Sequence, residues 1–410
     1  MKSKKYIRKG IVTVREKGVL STTILALQKL EHERTRKSKR NAHKKRYVSL
    51  AAREDVMAAD WSGTPYTAPK PQKHSGPFVI NWVMSPPSGG GGHQNIFRFI
   101  EYLDRLGYKN NIYIYSTLDN MPISQARENV RAYCKAQNLT FARYKGSMVD
   151  ADIVFATGWE TAYPVFNDET TAKKMYFVQD FEPLFYPMGT DYVLAENTYK
   201  FGFHGVTAGG WLKQKLSREY GMRCDSYDFG AETSLYRHQE TGKRKEVFFY
   251  ARPVTERRGF DLGIMALEKF HERHPDYVIN LAGWDVSDYD IPFPYVNHKA
   301  LKLSDLPVLY NRCAAALVIS LTNMSLLPLE LLACGTIPVV NDGPNNRLVS
   351  DNQYIAYTQA SPTALAEKMS EVVRNENLPS YAKKAAASVP SAGWEPSLKK
   401  FEAILRKELA

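Results

Sequence analysis

The sequence predicts an α/β protein of two doubly wound domains. Three observations carry that expectation. Short continuous apolar runs recur with helical segments between them, which is how the strands of a buried parallel sheet read. The series restarts once, near residue 245. And 410 residues exceed what one ordinary core serves.

The first series begins at Phe78. "FVINWVM" reads as a strand and "HQNIFRFIEYLDRLG" as a helix with Ile96, Phe99, Ile100 and Leu103 on one side. "NIYIYS" follows as a strand and "ISQARENVRAYCKAQ" as a helix, then "ADIVFAT", "KKMYFVQ" and "FHGVTAG" as buried strands. The second series runs through "KEVFFYA", "DYVINLAG", "AAALVIS", "TIPVVND" and "YIAYTQ". The expected domains are therefore 78–235 and 236–390, each Rossmann-like. Ligands belong at the carboxyl ends of such strands, in the cleft between the domains.

The net charge of +12 is concentrated at one end. Residues 1–53 hold 17 of the 55 Lys and Arg and 3 of the 43 Asp and Glu, so the remainder nets −2. Residues 1–63 read as a basic arm, in which Ile11, Val14, Leu20, Ile24, Leu27 and Leu30 can share a helical face. Residues 64–77, with four prolines, read as a linker. No run reaches the roughly 18–20 apolar residues of a membrane span. "GVLSTTILAL" leads into "QKLEHERTRKSKR" rather than into a small-residue cleavage site, so a cytoplasmic protein is expected. The arm's charge suits the anionic inner face of a plasma membrane, with residues 1–53 as the contact. It has few aromatics and no recognisable nucleic-acid module, so nucleic acid is not an expected partner. The four cysteines lie far apart with no Cys/His cluster, which points to free thiols in a reducing compartment and to no metal site.

Several stretches carry chemistry. In "YARPVTERRGF" Arg252 and Arg258 stand between a buried strand and a helix, where backbone amides and the helix dipole favour an anion. Guanidinium adds fork-shaped donors for phosphate oxygens and stays charged. In "SLTNMSLLPLELLACGTIPVVND" a helix begins near Pro328, and Glu330 falls in its first turn, where a carboxylate can accept from a ribose or merely complement the dipole. "SPPSGGGGHQNIFRF" places Gly90, Gly91, Gly92 and His93 at a strand-to-helix turn where backbone can approach a ligand. "YFVQDFEPLF" ends a strand with Asp180 and Glu182, which can face sugar hydroxyls or pair with Lys173, Lys174 or Lys200.

Arg252, Arg258-Gly259, "INLAGWD", "ALKLSDLPVLYNRCAAALVIS" and "LPLELLACGTIPVVND", in that order, resemble the donor-binding domain of the retaining GT-B glycosyltransferases of family four. The resemblance covers about 78–410. It departs from the family's pattern at Arg258, where lysine is usual, and at Thr322, where the first glutamate of a Glu-x7-Glu motif is usual and Glu330 is the second. A narrower resemblance, carried by "YFVQDFEPLFYPMGTDYVLAENTYKFGF" and "GGWLKQKLSREYGMRCDSYDFGAE", is to bacterial surface-layer glycan rhamnosyltransferases that use dTDP-β-L-rhamnose.

The resemblance implies a GT-B fold and a sugar-nucleotide donor, with an oligosaccharide acceptor on a lipid-linked surface glycan. It implies retention, and no metal or other cofactor. It places the donor base near Lys302 and Leu303, the ribose on Glu330, and the pyrophosphate on Arg252, Arg258 and the amides of Ser325, Leu326 and Leu327. Asp180, Arg252 and Arg258 become the expected catalytic residues, and Gly90 to His93 the phosphate or acceptor loop. The segment 391–410 becomes a helix that crosses back to the first domain. UDP- or GDP-sugar donors, a sugar-nucleotide epimerase and a non-catalytic glycan-binding relative remain open on the same residues.

Overall fold

A computed structural model describes residues 49–69, 76–240 and 242–410. Residues 1–48 of the expected arm (1–63) and membrane contact (1–53), and the linker residues 70–75, lie outside the described residues. Residues 50–410 form one compact unit.

The first sheet has seven strands: β1 (Val79–Met84), β2 (Lys109–Ile114), β3 (Leu139–Arg143), β4 (Ile153–Ala156), β5 (Lys173–Val178), β6 (His204–Ala208) and β7 (Cys224–Tyr227). Their order is β3-β2-β1-β4-β5-β6-β7, and every pairing is parallel. The second sheet has six: β8 (Glu246–Tyr250), β9 (Val278–Ala282), β10 (Val296–Asn297), β11 (Cys313–Val318), β12 (Ile337–Asn341) and β13 (Ala356–Thr358). Their order is β10-β9-β8-β11-β12-β13, again all parallel. The central strands are buried on both faces, which is why they read as apolar runs. Three strands escape that reading. β3 and β7 lie at the two sheet edges and carry polar residues, and β10 is only two residues long.

The order reverses once in each sheet, between β1 and β4 and between β8 and β11. Loops leaving adjacent strands there run in opposite directions and open a crevice, the place where such sheets take ligands.

The last helix, Glu395–Leu409, follows the second sheet but packs on the first. Phe401 is fully buried, its ring 4.6 Å from Phe99 and 5.8 Å from both Phe155 and Phe177. At its end buried Glu408 meets Arg223, and lies 3.4 Å from Lys173. Residues 50–69, which the sequence reading assigns to the arm and linker, also lie against the first sheet. Tyr115 Oη accepts from Ala52 N at 2.7 Å and donates to Asp55 at 2.7 Å, while Tyr66 N donates to Phe201 O at 3.1 Å. Among the described residues no helix is long and apolar enough to cross a membrane.

Candidate active site at the switch point of the second sheet

Two loops leave the second sheet where its strand order reverses: 251–259 after β8 and 319–326 after β11. The first tightens into a single turn, with Thr255 N donating to Arg252 O at 2.9 Å and Arg258 N to Thr255 O at 2.8 Å. It ends at Gly259, in the left-handed region at φ +57°, where a Cβ would come 2.7 Å from Ile319. Only glycine lets the turn lie this close to the second loop. The helix Phe260–Arg273 then begins.

This geometry brings three guanidinium groups to the crevice. Arg258 donates to Ser320 Oγ and so ties the two loops together. Arg252 donates weakly to Tyr250 Oη at 3.4 Å and lies 5.8 Å from the Trp284 ring centre, while its buried Nε has no hydrogen-bond partner among the described residues. Arg257 stacks 4.0 Å from the Phe185 ring of the first domain, and its buried Nε likewise lacks a hydrogen-bond partner. Arg257 Nε nevertheless lies 3.6 Å from the Asp180 carboxylate, so of the two it is Arg252 whose Nε is free to donate to an anionic ligand.

The second loop is fixed by asparagines. Asn341 accepts from Ser320 N at 2.8 Å and donates to Ser320 O at 2.9 Å, and Asn345 and Asn346 donate to the same carbonyl at 2.9 and 3.1 Å. Next along the loop, Thr322 and Asn323 meet the first domain. Asp180, buried beyond the end of β5, accepts from Thr322 Oγ1 at 2.9 Å, Asn323 N at 2.8 Å and Phe181 N at 2.9 Å. Arg257 Nε is 3.6 Å from the same carboxylate. Burial raises the Asp180 pKa, while Arg258, the Asn323 amide, Arg257 and Thr322 pull it back.

The remaining expected residues are placed as follows. Ser325 and Leu326 are half-buried ahead of the seven-residue helix Leu327–Ala333, whose first turn carries half-buried Glu330. Burial pushes the Glu330 carboxyl up to about 7, against the attraction of Arg98 from the first domain. Arg98 lies 4.2 Å from the Trp394 ring and its buried Nη1 has no partner among the described residues. Lys302 and Leu303 are exposed on the segment between β10 and the helix Leu306–Arg312. Gly90 caps the helix Gly91–Arg105, so Gly91 and Gly92 are its first turn rather than a loop. None of the three has a positive φ. The Gly92 carbonyl accepts from Gln179 at 3.1 Å, and a Cβ there would sit at an ordinary contact distance of 3.5 Å from the same side chain. Half-buried His93 faces Ser85 and Ser88, each at 3.4 Å. Glu182 pairs with none of the three candidate lysines. Its carboxylate accepts from Trp159 N at 2.6 Å and Tyr176 Oη at 3.2 Å, which makes it a brace for the helix Trp159–Asn167.

The sequence reading missed Arg257, Asn323 and Arg98. The arginine doublet 257–258 was a visible signal; for Asn323 and Arg98 there was none, because their partners lie on the other domain.

Residues 119–208 match the WsaF N-terminal domain, and residues 245–370 match the WsaF C-terminal domain, together more than half of the chain. The chain belongs to the WsaF family of glycosyltransferase domains. It is 30% identical over 318 residues to the O-antigen biosynthesis protein RfbC of Myxococcus xanthus, a match covering 74% of this chain and 25% of that protein. The chain thus spans about a quarter of that relative's length. Among solved structures, the sucrose-phosphate synthase of Thermosynechococcus elongatus superposes with a TM-score of 0.59 at 13% identity, covering 80% of this chain and 98% of that one. TarM superposes with a TM-score of 0.61 at 9% identity, covering 80% and 98%. The fold is GT-B.

Proposed function

We propose that this WsaF-family protein transfers a sugar from a nucleoside diphosphate donor to a growing surface glycan with retention, and that the donor is dTDP-β-L-rhamnose. The observation that carries the donor class is the guanidinium cluster at the switch point, with the Arg252 Nε buried and without a hydrogen-bond partner among the described residues. A diphosphate is the ligand such donors suit, because it offers several anionic oxygens to forked N–H groups. The rhamnosyl assignment rests on the family and on the sequence resemblance around Asp180.

In this reading the nucleotide lies along the second domain, with its base toward Lys302 and Leu303 and its ribose on Glu330. The diphosphate meets Arg252, Arg258 and the amides of Ser325 to Leu327. As the glycosidic bond breaks, negative charge grows on the leaving diphosphate. Cations already held in place act on that developing charge without reorganising at the moment of reaction. Asp180 stands on the opposite wall with its carboxylate held by Thr322 Oγ1, Asn323 N and Phe181 N, and would exchange one of these bonds to reach the sugar. Residues Gly90 to His93 line the side from which a phosphate or an acceptor approaches. Closure of the cleft excludes water and so favours transfer over hydrolysis.

The test is a transfer assay with dTDP-β-L-rhamnose, UDP- and GDP-sugars against oligorhamnan acceptors. Product from the rhamnosyl donor, with its anomeric configuration retained by NMR, supports the reading. Product only from another donor keeps glycosyl transfer and discards rhamnose. Donor converted without any acceptor indicates epimerisation.

A further inference from the structure

Asp180 is a residue of the first domain whose environment is built by the second. Two of its three hydrogen-bond donors, Thr322 Oγ1 and Asn323 N, come from the loop after β11, and so does the chain that continues into Ser325 and Glu330. The Asn323 side chain completes the junction. Its Nδ2 donates to Gln179 O at 3.0 Å and to Ala208 O at 2.9 Å, bridging the ends of the neighbouring strands β5 and β6. Thr322 and Asn323 are each only 2% exposed, and the Asn323 Oδ1 has no partner among the described residues. The Thr322 carbonyl is held in turn by Asn345.

A side chain with two buried donors on backbone carbonyls of the other domain does more than cover surface, since each of those carbonyls would otherwise be desolvated without a partner. The arrangement fixes a distance between domains at one point. That point lies between the carboxylate and the arginine cluster, where Arg257 Nε is 3.6 Å from Asp180.

Resting on the transferase reading above, we infer that Thr322 and Asn323 are positioning residues for the transfer step. They hold the first domain's carboxylate in register with the second domain's guanidinium groups, so the charge arrangement is complete only when the cleft is closed. Nucleotide contacts lie within the second domain, so binding of the diphosphate does not need the junction. Chemistry does.

The experiment compares Thr322→Val, Thr322→Ser and Asn323→Ala with wild type, measuring dTDP affinity by calorimetry and transfer as separate kcat and KM values across pH. Val keeps the shape of threonine and removes the hydroxyl; Ser restores it. The expected result for Thr322→Val and Asn323→Ala is a loss in kcat of about tenfold to a hundredfold, the range for a reacting group displaced by up to an ångström, with dTDP affinity unchanged within about twofold. Thr322→Val loses a hydrogen bond that favours the charged form of Asp180, so its acid limb of kcat moves to higher pH, whereas Asn323→Ala keeps the backbone N–H to Asp180 and loses only the bonds to Gln179 O and Ala208 O. Thr322→Ser stays near wild type. A merely structural role would lower stability without moving the pH profile and would not separate kcat from dTDP affinity.

If Thr322→Val matches wild type in kcat and pH profile, the inference is overturned. If dTDP affinity falls in step with kcat, the junction belongs to nucleotide binding and the inference is again overturned. If wild type itself neither binds a nucleoside diphosphate nor transfers, it is the functional reading that fails, and the two failures are told apart.

Discussion

Replacing Glu330 with glutamine tests the electrostatics at the start of the helix Leu327–Ala333. Burial raises the Glu330 carboxyl from the ordinary 4.5 to about 7, and Arg98 offsets part of that rise. A carboxyl raised by folding stays protonated in the folded chain after the unfolded chain has ionised. Between pH 4.5 and 7 the folded state therefore holds the extra proton, and stability falls as pH rises through that window. Each pKa unit corresponds to about 1.4 kcal/mol, so the penalty is at most about 3 kcal/mol, fully developed near pH 8. Glu330→Gln keeps the shape and cannot ionise. Urea denaturation of both proteins from pH 5 to pH 8 is the assay. The glutamine variant should match wild type near pH 5 and exceed it by up to about 3 kcal/mol at pH 8. Arg98→Met should widen the gap, because it removes the offsetting cation. A gap between wild type and Glu330→Gln that stays flat across pH would refute the reasoning, since it would mean Glu330 ionises freely in the folded chain.

Other expectations follow from the same contacts. Arg257→Ala removes the cation stacked on Phe185 and beside Asp180; kcat should fall about tenfold or more, with its acid limb at higher pH because Asp180 loses a charge that favours ionisation. Phe401→Ala empties an aromatic site in the first core and should cost about 3–5 kcal/mol, read as a lower denaturation midpoint of the first domain. Deleting residues 1–48, which leaves the packed stretch 50–69 in place, should abolish salt-sensitive binding to vesicles rich in anionic lipid. Binding that survives the deletion, binding that salt does not weaken, or no binding by wild type would each refute a membrane contact on this segment.

Much of the fold was legible because the central strands are buried on both faces and so announce themselves as uninterrupted apolar runs, as "IVFA" and "CAAALV" do. The edge strand Cys224–Tyr227 was not, since "CDSY" has half its residues partly exposed and no apolar run to read. The arginine loop was legible from its place between strand and helix. What joins it to Asp180 was not. Thr322 and Asn323 find their partner 142 and 143 residues away in the chain, on a different sheet, and nothing local to either segment marks the meeting. Glu182 shows the converse. It lies two residues from Asp180 at the same strand end, yet its hydrogen bonds turn inward to Trp159 N and Tyr176. Only the direction of the side chain separates the two carboxylates.

In the proposed function the crevice between β8 and β11 holds a nucleoside diphosphate on guanidinium groups. Calorimetric titration of dTDP, UDP, GDP and ADP into wild type and Arg252→Ala tests it most directly. A charge-assisted contact on this scale is worth about 1.5–3 kcal/mol, so the variant should bind its preferred diphosphate roughly ten- to a hundredfold more weakly. Preference for dTDP would support the rhamnosyl donor as well. Equal affinity in wild type and Arg252→Ala, or no binding of any of the four to wild type, would mean that the crevice holds no diphosphate on Arg252.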